Sequence, residues 1–254
     1  MHANLVEVFS SVQGEGIHVG ASTLFVRFGE CDLRCRWCDS PHTWQPAARC
    51  RLETARGTAR FREIGNPVAI DDALVAVGAL EAAAHRFVAF TGGEPLLQPG
   101  PVAALAEALR GGGPRMYLET HGLASRALER VVERMDVIAM DWKLASDVRR
   151  AAGSASAAFH DEHEAFLRVA IRAPEVMVKV VVTPHTTDDE IDETSRRIAA
   201  VDPNVPLVLQ PVTPMGGVRE RPTSERLLAM GARLESSLAD VRIVPQTHPS
   251  YGAL

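Results

Sequence analysis

The stretch Phe25-Val-Arg-Phe-Gly-Glu-Cys31-Asp-Leu-Arg-Cys35-Arg-Trp-Cys38-Asp-Ser40 decides how the chain is read. An apolar run ends in a loop holding three of the chain's four cysteines, with three and then two residues between them. Clustered thiols in a Cys-poor chain point to metal or redox chemistry rather than a disulfide framework. Three thiolates on one loop suit an iron–sulfur cluster with one iron left open for a small ligand. The alternative is a structural zinc site completed by Cys50, although such ligands usually come as two short-spaced pairs. Outside that alternative, Cys50 reads as an ordinary buried thiol.

Working outward, apolar stretches of strand length alternate with longer amphipathic ones. Strands are expected at Thr23 to Phe28, Phe87 to Thr91, Met116 to Glu119, Val137 to Asp141, Val176 to Thr183, Leu207 to Pro211 and Val241 to Val244. Helices are expected at Asp71 to Ala84, Pro101 to Leu109, Ser125 to Arg134, Glu162 to Arg172, Asp188 to Val201 and Ser224 to Leu238. Such alternation implies parallel strands with crossover helices. Since eight strands close a full barrel, the expectation is α/β, an incomplete parallel (β/α) barrel of about six or seven strands. It is read as a single domain over 1–254, with insertions near 43–67 and 145–160.

Reactive side chains fall just after the C-terminal ends of these strands, where barrel enzymes place their chemistry. Thr91-Gly-Gly-Glu-Pro95 follows the second strand, Glu119-Thr-His-Gly122 the third and Asp141-Trp-Lys143 the fourth. Thr183-Pro-His185, Gln210-Pro211 and Pro245-Gln-Thr-His248 close the rest. The Gly-Gly pair would let backbone approach a ligand closely.

Composition narrows the field. The chain has 254 residues, is 46% hydrophobic and carries a net charge of -5, so a large core is possible and general attraction to phosphate backbones or anionic membranes is not. No apolar run approaches a membrane span, and Met1-His-Ala-Asn4 starts no signal peptide, so a soluble cytoplasmic protein is expected. Of the 27 basic residues only Lys143 and Lys179 are Lys. Both are expected to point into the barrel and pair with Glu119 and Asp141, because a buried ammonium without a partner is too costly. His18, His42, His85, His160 and His163 are expected at the surface. Met135 and Met140 are expected in the core. Arg49, Arg51, Arg56, Arg60 and Arg62 read as a solvated face, conceivably a patch for a reducing protein.

The cysteine loop, with Trp37 before its last Cys and Gly92-Gly-Glu-Pro95 after the next strand, resembles the radical S-adenosylmethionine superfamily. More narrowly, Phe9-Ser-Ser-Val-Gln-Gly-Glu-Gly16, Phe25-Val-Arg27, Cys38-Asp-Ser40, Glu119-Thr-His-Gly122 and Pro245-Gln-Thr-His248 resemble the family of 7-carboxy-7-deazaguanine synthases. The resemblance implies a radical ring contraction of 6-carboxy-5,6,7,8-tetrahydropterin to 7-carboxy-7-deazaguanine with release of ammonia, in queuosine and deazapurine biosynthesis. It implies a 4Fe-4S cluster on Cys31, Cys35 and Cys38, with S-adenosylmethionine as a regenerated cofactor. Trp37, Cys38, Asp39, Gly93, Glu94, Asp141, Trp142, Lys143 and Gln210 would line the adenosylmethionine. Val12, Gln13, Gly14, Glu15, Arg27 and Thr91 would bind the pterin, together with His248 and the terminal carboxylate of Leu254. Ser40 would help hold Mg2+ at the substrate carboxylate. An electron donor such as flavodoxin and a homodimer are implied as partners, with no nucleic acid and no membrane. The rival readings are a radical activase acting on a partner protein and a zinc-stabilised binding module.

Overall fold

The computed structural model describes residues 1–152 and 158–252. The first half contains strands β1 (His2–Ala3), β2 (Leu5–Val12), β3 (Ser22–Phe28), β4 (Leu33–Cys35), β5 (Arg49–Glu53), β6 (Phe61–Gly65) and β7 (Val68–Ala69), then helix α1 (Ile70–Ala79). Next come β8 (Phe87–Gly92), α2 (Pro99–Leu109), β9 (Arg115–Thr120), α3 (Ser125–Leu128), β10 (Val137–Asp141) and β11 (Val148–Arg150). The chain continues through α4 (His160–Ala170), β12 (Glu175–Val182), α5 (Asp188–Val201), β13 (Leu207–Pro211), α6 (Ser224–Glu235) and β14 (Val241–Ile243).

Ten strands form one sheet in the order β14-β13-β12-β10-β9-β8-β3-β2-β5-β6. From β3 to β14 every neighbouring pair is parallel, and these seven strands are the seven expected ones, within a residue or so at each end. The sheet does not close, because β14 and β6 are its edges. It is an incomplete barrel. Both expected insertions carry strands. Within 43–67, β5 and β6 extend the sheet beyond β2, which lies antiparallel to β3. Within 145–160, β11 pairs antiparallel with β4, setting Val148 opposite Cys35, so this segment braces the cysteine loop. Residues 153–157 of that stretch lie outside the described residues.

The helices are the expected six, some shorter. α1 stops at Ala79 because Glu81 turns the chain at φ 55°, and α3 is a single turn followed by a 3-10 turn at Val132–Arg134. α5 starts on a capping box in which the Thr187 and Glu190 side chains satisfy each other's backbone N–H groups.

Period-two alternation along the strands separates two interiors. Outward-facing Leu24, Val26, Val88, Phe90, Met116, Leu118, Ile138 and Met140 pack under the helices in the main core. Inward-facing Phe9, Phe25, Phe87, Ala89, Tyr117, Val137, Ala139 and Met177 fill the lower half of the barrel. Each fully buried Phe or Met there contributes roughly 1.5–3 kcal/mol. A 3-10 turn, Gly16–His18, plugs the bottom: the His18 ring lies 4.8 Å from that of Phe87 and 5.8 Å from that of Tyr117, and its Nε2 meets Glu175 at 2.7 Å. Nearer the C-terminal ends the same inward positions become polar. Arg27 stands beside Thr91, and Asp141 beside Lys179, in adjacent strand register.

Candidate active site

Above the apolar plug lies a cavity of about 350 Å³. Its thiol end is formed by Cys31, Cys35 and Cys38, all half-buried and free of disulfides. The loop that carries them is tied down on several sides. Arg36 donates its backbone N–H to Asp147 O at 3.0 Å and its guanidinium to Asp147 Oδ1 at 3.1 Å. Ala151 N donates to Asp32 O at 2.7 Å, and the Asp32 carboxylate meets His121 Nε2 at 2.8 Å. Gly217 N donates to Arg36 O at 2.6 Å. The adjacent Gly216, at φ +57°, leaves no room for a side chain, since a Cβ would sit 2.6 Å from that same oxygen.

Burial pushes the Cys31 thiol up to about 11 and Cys35 up to about 12, and raises Cys38 as well. Lys143 opposes the shift at all three. Such thiols stay protonated until a metal takes the proton's place. Three thiols on one wall, each within electrostatic reach of Cys35 or of Lys143, are a donor set that fits a cluster with one open iron. Among the described residues no three His, Cys, Asp or Glu side chains converge on a point as a single ion requires. Cys50 is fully buried in the main core under the sheet, apart from the loop, so the four-cysteine zinc reading has no geometry.

The opposite end of the cavity is built from strand ends and from the segment after β2. Arg27 donates from Nε to Glu7 Oε1 at 2.9 Å and its guanidinium lies 5.5 Å from the Phe9 ring centre, which fixes the cation at the wall. Glu119 accepts from Thr91 Oγ1 at 2.5 Å and from Gln13 Nε2 at 2.7 Å, and burial raises its pKa. Gln13 Oε1 in turn accepts from Glu15 N at 3.1 Å. The Glu15 carboxylate takes Lys179 on one oxygen, and Gln210 Nε2 at 3.0 Å with Gln246 Nε2 at 2.9 Å on the other. Lys143 is buried, Lys179 is half-buried, and the two meet on Asp141 Oδ2, Lys143 at 2.7 Å and Lys179 at 3.1 Å. Burial alone would raise the Asp141 carboxyl, yet the two ammoniums hold it below the usual range. Lys143 also lies 4.5 Å from the Trp37 ring centre. The expected partner Asp141 is there. Glu119 is bound to neutral groups instead, and Glu15 replaces it.

The segment after β14 folds back over this end. Thr247 N donates to Gly14 O at 2.8 Å, and Gln246 Nε2 reaches Asp39 Oδ2 at 2.9 Å. His248 lines the cavity against Gly14, where a Cβ would sit 2.6 Å from its Nδ1. Leu254 lies outside the described residues.

Val12, Gln13, Gly14, Glu15, Arg27, Thr91, Trp37, Cys38, Asp39, Ser40, Gly93, Asp141, Lys143 and His248 therefore share one cavity. Three sequence candidates stand back from it. The Glu94 carboxylate is fully buried, accepting from Leu96 N, Thr120 Oγ1 and His121 N at 2.8–2.9 Å, so it ties the loops after β8 and β9 together. Trp142 faces the helices between Asp141 and Lys143, with its Nε1 donating to His160 Nδ1 at 3.2 Å. Gln210 is buried behind Glu15. His163 is fully buried rather than exposed: Nδ1 donates to Gly122 O and Nε2 accepts from Lys143 N, both at 2.8 Å. His85 is buried as well, with Nδ1 at 3.3 Å from Glu81 O. Neither Glu7, which orients Arg27, nor Lys179 was assigned a ligand-binding role from sequence.

The partial barrel with a three-thiol loop after its first parallel strand defines a class: residues 26–198 match the model of the Radical SAM superfamily, to which the chain belongs. It is 38% identical to 7-carboxy-7-deazaguanine synthase of Geobacter sulfurreducens, covering 99% of this chain and 98% of that protein. Identity to 7-carboxy-7-deazaguanine synthase of Methanothermobacter thermautotrophicus is 33%, again over 99% and 98%. Within the superfamily the chain belongs to the 7-carboxy-7-deazaguanine synthase family. Among solved structures, QueE from Escherichia coli shares the fold with a TM-score of 0.61 at 19% identity, covering 98% of this chain and 95% of that one. A radical SAM methyltransferase from Sphaerobacter thermophilus gives 0.58 at 15% identity, over 89% and 66%. The superfamily works with a 4Fe-4S cluster and S-adenosylmethionine.

Proposed function

We propose that the chain converts 6-carboxy-5,6,7,8-tetrahydropterin to 7-carboxy-7-deazaguanine, losing one ammonia, as a carbon–nitrogen lyase of deazapurine and queuosine biosynthesis. One observation carries this reading: a single cavity joins three thiols at one end to a wall-fixed Arg27 and an amide–carboxylate cluster at the other.

Cys31, Cys35 and Cys38 would hold the cluster, and Trp37, Asp39, Gly93, Asp141 and Lys143 would face S-adenosylmethionine beside it. When bound, these two supply one-electron chemistry that takes a hydrogen atom from the substrate. The protein's own residues do the rest. Arg27, oriented by Glu7, pairs with the pterin carboxylate through the part of its fork not engaged by Glu7. Gln13, Glu15, Thr91 and Glu119 meet the donor-rich pterin edge, and a buried carboxyl with a raised pKa, such as Glu119, accepts or shares a proton there. Phe9, Tyr117 and Met177 exclude water from below. Ser40, whose hydroxyl donates to Asp39 Oδ1 at 2.9 Å, would help hold Mg2+ at the substrate carboxylate. His248, which lines the cavity, would lie over the ligand.

An electron donor such as flavodoxin, a homodimer and a cytoplasmic location complete the proposal. No helix among the described residues is long and apolar enough to cross a membrane. The test is anaerobic incubation of the reconstituted protein with S-adenosylmethionine, dithionite and the carboxypterin, read by mass. The deazaguanine and ammonia should appear together, with S-adenosylmethionine not consumed in proportion. Recovery of unchanged carboxypterin beside an intact cluster would refute the assignment.

A further inference from the structure

The chain uses Arg for almost every cation and keeps Lys for two positions, both in one cavity and both on one carboxylate oxygen. Lys143 belongs to the thiol end, over Trp37. Lys179 belongs to the other end, and neither the functional reading nor any resemblance gives it a task. Its position is set by the fold. It is the inward residue of β12 in register with Asp141 on β10, and it stands directly above Met177, the last apolar side chain of the plug on that strand.

From there the ammonium reaches two carboxylates at once, Asp141 Oδ2 and Glu15 Oε2. The Glu15 carboxylate sits on an irregular segment beyond β2, where no strand ladder fixes it. Its direction is set by donors from three distant elements, Lys179, Gln210 and Gln246, and the lysine is the only cation among them. The geometry points to Lys179 as the positioning residue that aims Glu15 at the substrate and, through Asp141, ties that aim to Lys143 beside the adenosylmethionine subsite. This rests on the proposed function and deepens it.

The choice of Lys follows from shape. A compact ammonium carries its three N–H groups around one atom, so it serves two carboxylates on different strands, whereas the planar fork of Arg is longer and favours one carboxylate bidentately. Asp141, which lines the same cavity, leaves Oδ1 buried and without a hydrogen-bond partner. Rotation of Asp141 toward a ligand donor would be felt by both lysines. Lys179 is thus a support for Glu15, not a group that touches the reacting atoms.

The experiment measures carboxypterin binding by calorimetry on the cluster-loaded protein with S-adenosylmethionine present and no reductant. It compares wild type, Lys179→Met, Lys179→Arg, Glu15→Gln and the Lys179→Met/Glu15→Gln double variant. Lys179→Met should weaken binding tenfold or more, and Lys179→Arg should recover less than half of that loss. The double variant should bind no more weakly than Glu15→Gln alone, because the lysine acts through the glutamate. Iron content and adenosylmethionine affinity should stay within twofold of wild type. Wild-type affinity in Lys179→Met, multiplying losses in the double variant, or loss of iron in step with pterin affinity would each overturn the proposal. Failure of wild type itself to bind carboxypterin would refute the functional reading first, and this inference with it.

Discussion

Keeping His163 neutral while the unfolded chain takes up a proton should cost the fold about 2 kcal/mol at pH 5, and replacing it should remove that pH dependence. The imidazole is completely buried, stacked 4.9 Å from Trp142, and each ring nitrogen already has a fixed role: Nδ1 donates to Gly122 O and Nε2 accepts from Lys143 N. A second ring proton would face an N–H. Burial therefore pushes the His163 pKa down to about 3, with the His121 and Lys143 charges acting in the same direction. The unfolded chain takes up a proton near pH 6.5, the folded one does not, so stability from this residue is complete above pH 6.5 and drains away as pH falls toward 3. At pH 5 the loss is about 2 kcal/mol, a figure set by the unfolded value and insensitive to whether the folded one is 3 or 4. The assay is urea unfolding of metal-free protein at pH 7.5 and pH 5.0, followed by tryptophan emission, to which Trp142 contributes directly. His163→Gln should be less stable at both pH values, with the drop between them smaller by about 2 kcal/mol. The other histidines are common to both proteins and cancel. An equal drop in both would refute the account of His163 as an obligately neutral bridge.

Cys31→Ala, Cys35→Ala and Cys38→Ala should each abolish iron–sulfur assembly, measured as iron and sulfide per chain, while Cys50→Ala retains nearly full iron; equal loss in Cys50→Ala would remove the three-ligand assignment. Deleting residues 251–254, or adding a C-terminal tag, should weaken carboxypterin binding tenfold or more, about 1.4 kcal/mol, with cluster content unchanged. A Michaelis constant equal to wild type would make that segment a bystander. Glu7→Gln should raise the Michaelis constant for carboxypterin and spare adenosylmethionine binding, since Glu7 holds Arg27 at 2.9 Å and lies away from the thiols. A proportional loss of both affinities would show that Glu7 supports the whole barrel.

The parallel core was legible because its strands are apolar on both faces and each ends in a turn. β5 was not: Arg49 and Arg51 alternate with Cys50 and Leu52, a half-exposed pattern hidden among arginines. β2 was read for its Gln-Gly-Glu-Gly continuation rather than for its own eight residues. Within the site, the period of two would have sorted Asp141 and Lys143 inward and Trp142 outward, yet the three were taken as a block. Glu94 was placed at the adenosylmethionine by resemblance alone, while its burial comes from a tertiary contact with the loop after β9 that no local pattern encodes. His163 did carry a signal, since it shares the spacing of Phe159, Phe166, Leu167 and Ala170 on the buried face of α4. The pairing of Lys179 with Glu15 spans 164 positions, and only the fold brings it about.

The seam between Gly14–Glu15 and Gln246–Thr247 has a consequence for synthesis. Chains emerge from the ribosome N-terminus first, and the thiol loop, complete by Ser40, is exposed long before the segment that covers the opposite end exists. The contacts that tie that loop down, from Asp147, Ala151 and Gly217, also come later in the chain. Only when residue 247 has been released do the first and last parts of the barrel meet.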